Sequence, residues 1–178
     1  STEATKVSQV FSREAWKLLT QNLPKVFVAP TDIHARAAVQ LGAAWAGLAI
    51  ENAMLGAAHG AANPLTAKYK GTHGQAVGLM LPHIIRFNGP VALEQYAELA
   101  AIAGLNTKTP DTALANWMHD MLGQAGLSRS LGDVIGTQPA MSEIKQLAKE
   151  ASAQWTSSFN PRPCLPADFV DLYQRASA

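Results

Sequence analysis

Apolar residues recur along this chain at spacings of three and four, and no apolar/polar alternation runs longer than about four residues, so helices are predicted throughout. In the first segment Val7, Val10, Phe11, Ala15 and Leu18 share one face and Lys6, Arg13 and Lys17 fall elsewhere. This predicts an amphipathic helix ending between Asn22 and Pro24. Pro30 then breaks the chain, Asp32 is a candidate N-cap, and the Pro-free run from Ile33 to about His59 predicts one long helix. Gly42, Ala43, Ala46, Gly47, Ala53, Gly56 and Ala57 let neighbours approach it closely, while Trp45, Leu48 and Met54 fill space. With apolar residues nearly all round, it is expected to be the central helix, buried on most sides. Pro64 either sits one turn before its end or opens a short new helix, and the loop from Lys68 to Gly74, turning at Gly71, delivers His73 to the next helix start. That helix runs from Gln75 to about Arg86, is kinked by Pro82, and stops at Asn88-Gly89-Pro90. Further helices are expected from Val91 to Ala103, from Asp111 to about Leu122, from Ser142 to about Ser152, and from Pro166 to Ala176. Asp111 and Ser142 are candidate N-caps, and Asn160-Pro161-Arg162-Pro163 reads as a loop. The expected class is all-α, a multi-helix bundle.

Length and charge narrow the picture. A chain of 178 residues buries a core without staples, so residues 1–178 are expected to form a single domain. Fourteen Lys and Arg against thirteen Asp and Glu, with no run of like charge, argue against nucleic acid or an anionic membrane as partner. The most apolar run, Ala37 to Ile50, is short of the roughly 20 residues that cross a bilayer and reads as a buried core helix. The single Cys164 excludes an internal disulfide and fits a reducing compartment, so a cytoplasmic location is expected. The polar first residues carry no signal-peptide pattern. The start at Ser1 fits methionine removal or the cut end of something longer.

Candidate chemistry concentrates between His59 and His83, which hold three of the five histidines. His59 and His73 are each followed by Gly, and a helix end facing a helix start would bring the two imidazoles together as half of a metal site. The alternative is that each is a satisfied histidine at a helix end. Asn63, four residues after His59, either shares its helical face and orients a ligand or substrate, or ends the helix before Pro64. His83 is a weaker candidate, and His34 and His119 read as surface residues. No glycine-rich phosphate loop occurs, Cys164 has no His nearby in sequence, and Ser157-Ser158 lacks nucleophile-elbow glycines, so neither a nucleotide site nor nucleophilic catalysis is indicated.

The run NAMLGAAHGAANPLTAKYKGTHGQAVGLMLPHIIRFN resembles the signature region of the iron-containing (group III) alcohol dehydrogenases, whose pattern runs Gly, then His followed by a second His four on and Pro-Leu, a short loop, His-Gly, and Leu-Pro-His leading to Phe-Asn. Similarity continues through EQYAELAAIAGL to the closing FNPRP and a last helix. The resemblance implies a bundle of about seven to nine helices, the dehydroquinate synthase-like C-terminal domain of an NAD(P)-dependent oxidoreductase that interconverts alcohols and aldehydes or ketones. It implies that His59 and His73 match the two later ligands of a catalytic Fe2+, or Zn2+, acting as a Lewis acid on the substrate oxygen. NAD(P) would be bound mainly by a separate N-terminal nucleotide-binding domain, with a small alcohol or carbonyl substrate in the cleft between the two. The family's first two ligands, an Asp and a His four apart, would fall upstream of Ser1, and Asp32 and His34 do not replace them. Asn63 stands where the family usually has a second His near the metal, a catalytic or supporting position. By itself the chain is expected to be inactive. The alternative is a non-catalytic helical scaffold or interaction domain, a remnant of that family whose Ala-rich surfaces favour a homo-oligomer.

Overall fold

The computed structural model describes residues 1–177. It contains α1 (Lys6–Val28), α2 (Ile33–Glu51), α3 (Ala57–Tyr69), α4 (His73–Ile102), α5 (Pro110–Gln124), α6 (Leu131–Ile135), α7 (Met141–Ser152), a 3-10 turn at Trp155–Phe159, and α8 (Pro166–Ser177). Among the described residues there is no strand, as the helical spacing implied. Leu79 and Met80 of α4 meet Leu65 of α3, Leu147 of α7, and Phe169, Leu172 and Tyr173 of α8 in the main core. A smaller cluster joins Ile85 and Ala100 of α4 to Leu114 and Ala115 of α5, with Trp16 of α1 packed against it. The Trp16 indole N–H donates to the Leu99 carbonyl at 2.8 Å and ties α1 to that cluster.

The central helix is α4, which packs on α1, α3, α5 and α8. An 18-residue window of it is apolar enough to span a membrane by composition, yet half of that window is buried inside the fold, as in a core helix. The expectation for the segment from Ile33 to His59 is corrected in two ways. It is split, because Asn52 caps α2 through its backbone N–H and its side-chain amide, both to the Leu48 carbonyl, and Met54 turns the chain at φ 61°. It is also not central: α2 packs chiefly on α1, and its buried residues are Ala35, Gly42 and Ala49. Those three recur every seven residues, so they form one narrow seam, and Gly42 lies against Leu18 and Leu19 of α1. Ile33, Leu41, Leu48 and Ile50 remain exposed.

Prolines punctuate less than expected. α1 runs through Pro24 to Val28 and closes with the Ala29 N–H on the Lys25 carbonyl at 2.8 Å. α4 passes Pro82 and Pro90 and departs from helical angles at Ala92, so the stop expected at Asn88 to Pro90 is a kink. Neighbours hold the chain there: Gly89 lies against the Asp111 carboxylate, and Asn88 pairs with Asn160. Asp32 caps α2 as expected, accepting from His34 and Ala35 N–H at 3.0 and 3.1 Å. Asp111 and Ser142 do not cap: α5 opens with Pro110 after Thr109, and α7 opens after Ala140. α6 and the 3-10 turn are too short for a periodic signal.

The two ends of the signature run meet through Asn160. Its side-chain Oδ1 accepts from the Ala57 N–H at 3.3 Å and from Asn88 Nδ2 at 3.1 Å. Its Nδ2 donates to Asn88 Oδ1 at 2.8 Å and to the Arg162 carbonyl at 2.6 Å. Arg162 lies over the Phe87 ring and donates to the Phe87 carbonyl at 2.8 Å. One saturated amide therefore fastens the start of α3, the middle of α4 and the loop before α8.

Candidate functional site: a histidine pair on the faces of α3 and α4

His59 is the third residue of α3 and His73 the first residue of α4, so both imidazoles sit at helix starts rather than at an end and a start. Lys70 makes the reversal between the helices at φ 53° in the left-handed region. The α3–α4 packing then sets His59 Nδ1 3.1 Å from His73 Nε2. Asn63 does not end the helix, because α3 runs through Pro64 to Tyr69. It therefore projects from the same face as His59, as one of the two sequence readings had it.

Proton positions on the pair follow from Thr66, which the sequence reading passed over. Its hydroxyl donates to the Ala62 carbonyl at 2.9 Å, so toward His73 Nδ1, 3.2 Å away, it acts as acceptor. Neutral His73 then carries its hydrogen on Nδ1 and keeps a lone pair on Nε2, which accepts from the His59 Nδ1–H. The signal was present in spacing, since Thr66 lies seven residues after His59 and so on the same helical face. Half-burial of His59, and then the neighbouring charge of His73, push the His59 pKa below its ordinary value, which keeps its imidazole neutral. Two helix N-termini also favour negative charge at this place.

The pair fits part of a metal's coordination. At Zn–N distances of 2.0–2.1 Å, two ligands of a tetrahedron lie about 3.3 Å apart, close to the observed separation. His73 Nε2 faces His59 while its other nitrogen is bonded to Thr66, the arrangement that orients a metal-binding imidazole. Among the described residues no group of three or more His, Cys, Asp and Glu could hold a metal ion, so two imidazoles stand without further ligands of those types.

The other candidates lie apart. His34 is exposed at the start of α2, whereas His119 is half-buried rather than a surface residue. His83 faces a cavity of about 230 Å3 shared with Arg86, Arg162, Asp168, Asp171 and Arg175. Burial first, then the charges of Arg86, His119 and Arg175, push the His83 pKa down to about 4. The unfolded chain thus takes up a proton near pH 6.5 that the folded chain refuses until about pH 4. Stability from this residue is complete above pH 6.5 and declines as the pH falls toward 4, by about 1–2 kcal/mol after allowance for its partial exposure. Thermal melts of His83→Gln are expected to show a shallower loss than wild type across that window, and parallel curves would exclude the assignment. Cys164 is half-buried, and burial, then Asp168, raises its thiol to about 12, which leaves it protonated. A cleft of about 510 Å3 lies between α1, the start of α3 and the second half of α4, lined by Ala57, Ala58, Asn88 and Tyr96, and neither His59 nor His73 lines it.

The family model for the Fe-containing alcohol dehydrogenase family, C-terminal, matches residues 1–177. The chain is 29% identical over 176 residues to the NAD-dependent methanol dehydrogenase of Bacillus methanolicus, covering 97% of this chain and 46% of that protein. It is 31% identical over 141 residues to the lactaldehyde reductase of Escherichia coli K12, covering 76% of this chain and 36% of that protein. The structure of an alcohol dehydrogenase from Oenococcus oeni superposes with a TM-score of 0.89 at 27% identity, over 98% of this chain and 46% of that one. The chain thus spans less than half the length of the relatives it matches. From the helical architecture and the full-length match it follows that this chain belongs to the Fe-containing alcohol dehydrogenase family, an oxidoreductase family, as its C-terminal domain.

Proposed function

We propose that this chain is the metal-binding half of an NAD(P)-dependent oxidoreductase that interconverts small alcohols with aldehydes or ketones. The observation that carries this reading is the 3.1 Å approach of His59 Nδ1 and His73 Nε2, with His73 oriented by Thr66. His59 and His73 would hold Fe2+ or Zn2+, which supplies Lewis-acid polarisation of the substrate oxygen when bound. To ligate through Nδ1, His59 would take the other neutral tautomer, with its hydrogen on Nε2, and Asn63 on the same helical face would be a supporting residue. Two further ligands and the NAD(P) platform belong to an N-terminal nucleotide-binding domain, in keeping with relatives about twice as long. The described residues contribute one wall of the site, and the reaction itself needs the other. Charge balance argues against nucleic acid as a partner, and the compartment proposed is the cytoplasm.

Purified chain supplied with Fe2+ or Zn2+, NAD(H) or NADP(H), and simple alcohols or aldehydes is expected to show no turnover above background. Robust turnover would overturn the assignment of the missing half. The exposed apolar residues Ile33, Leu41, Leu48 and Ile50 on α2 favour a second reading, a non-catalytic scaffold that self-associates or docks on another protein. The reading frame upstream of Ser1 separates the two. An Asp-x-x-x-His preceded by a nucleotide-binding fold supports the enzyme, and a stop codon or an unrelated domain supports the scaffold.

A further inference from the structure

Between Arg36 and Glu51 α2 carries no charged residue, although much of its surface there faces solvent. A solvated helix face ordinarily holds charges, so an uncharged one points to a cover. α2 packs chiefly on α1, through the seam at Ala35, Gly42 and Ala49. At about 100° per residue, a second stripe lies about 130° round the helix from that seam: His34, Ala37, Leu41, Ala44, Leu48 and Glu51. All six are exposed, Leu41 at 47% and Leu48 at 42%. They recur at spacings of 3, 4, 3, 4 and 3, the a/d pattern of a helix that pairs with another. The stripe is also complementary to itself read backwards. In an antiparallel pair each a position faces a d position, so a single register sets Leu41 against Ala44 of the second copy, Leu48 against Ala37, and His34 against Glu51. Every large side chain then meets a small one, an imidazole stands opposite a carboxylate at both ends, and a two-fold axis repeats each contact. A parallel pair would set Ala on Ala and Glu51 on Glu51, which leaves gaps and opposes like charges.

We propose that α2 is a homodimerisation helix that pairs antiparallel with α2 of a second copy of this chain, through His34, Ala37, Leu41, Ala44, Leu48 and Glu51. This is independent of the metal-binding reading, since none of the six belongs to the histidine pair, and it gives the exposed face of α2 one occupant whether or not the chain takes part in catalysis. A helix about 28 Å long makes a contact at the small end of specific interfaces, so the dimer is expected to be reversible, with a dissociation constant on the order of 10 μM.

The test is sedimentation equilibrium of the 178-residue chain at concentrations well below and well above that value, with helical circular dichroism confirming that each variant is folded. Leu41→Glu and Leu48→Glu, both at exposed positions, are each expected to weaken dimerisation at least tenfold. His34→Glu and Glu51→Lys each remove the end pairs and are expected to weaken it about fivefold, whereas the double variant His34→Glu/Glu51→Lys restores opposite charges and wild-type affinity. Ala43→Glu, which adds the same charge on the other flank of α2, is expected to stay within about twofold. Register is read by oxidation: Ala37→Cys mixed with Leu48→Cys is expected to cross-link, and Ala37→Cys alone is not, because the two copies of residue 37 lie about 16 Å apart along the pair. Wild type reports the background from Cys164. A dimer that survives Leu41→Glu/Leu48→Glu, or equal cross-linking of the two Ala37→Cys samples, would overturn the inference. A chain that stays monomeric throughout would also overturn it and assign the face to another domain or protein.

Discussion

Replacing Asn160 by leucine is expected to destabilise the fold by about 3–5 kcal/mol, a drop in melting temperature on the order of 10 °C for a chain of this size. The side chain is buried and all its bonding capacity is used: two donors to Asn88 Oδ1 and the Arg162 carbonyl, and one oxygen shared by Asn88 Nδ2 and the Ala57 N–H. Leucine has similar bulk, so little cavity forms. The cost comes from the buried Asn88 amide and the Ala57 N–H left without partners in a low-dielectric interior. A double variant with leucine at both 88 and 160 is expected to recover part of the loss, because the orphaned Asn88 amide is then gone. Urea unfolding of wild type and the two variants measures this, and a single-variant loss below about 1 kcal/mol would show that the amide pair is dispensable. Ala57 opens α3 two residues before His59, so the same change is expected to loosen the histidine pair.

The second large effect is expected at the histidines. His59→Ala or His73→Ala leaves one imidazole where two converge, and either is expected to lower affinity for Zn2+ by about a hundredfold, since a single neutral ligand binds poorly at neutral pH. Thr66→Val is expected to cost about tenfold, because it removes the acceptor that keeps the His73 hydrogen on Nδ1 and its Nε2 lone pair toward His59. Competition with a chromophoric chelator reads all three. Affinity unchanged in both single histidine variants would mean that the pair is a structural hydrogen bond between helix starts.

Much of this architecture is legible in local pattern. α7 and α8 begin and end within about two residues of where their apolar spacing places them, because each buries one stripe and exposes the rest. The segment from Ile33 to His59 misleads for a physical reason. An all-round apolar surface reads as burial on every side, yet α2 buries fully only Ala35, Gly42 and Ala49, with Trp45 edge-on to Phe11 of α1, and Ile33, Leu41, Leu48 and Ile50 remain uncovered by the described residues. Its break was marked by Asn52, a residue that ends helices with its own amide, but composition around it masked the signal. Pro24, Pro82 and Pro90 point the other way: each costs one backbone hydrogen bond, and tertiary packing keeps the helix going across it.

At the site, the residue types and their order set two imidazoles fourteen apart on either side of a turn, whereas the run of α3 from Ala57 through Pro64 to Tyr69 decided that His59 stands at a helix start and that Asn63 shares its face. The residue types also determined the family, because the whole His-Gly to Leu-Pro-His run matches and not the histidines alone. Only the tertiary structure decided that the rings meet at 3.1 Å, which nitrogen of each faces the other, and that Thr66 bonds His73 while Gln154 bonds Asn63. Those choices depend on hydrogen-bond directions between groups on different helices, Gln154 lying 91 residues from Asn63, and no local spacing encodes the angle at which α3, α4 and α7 pack.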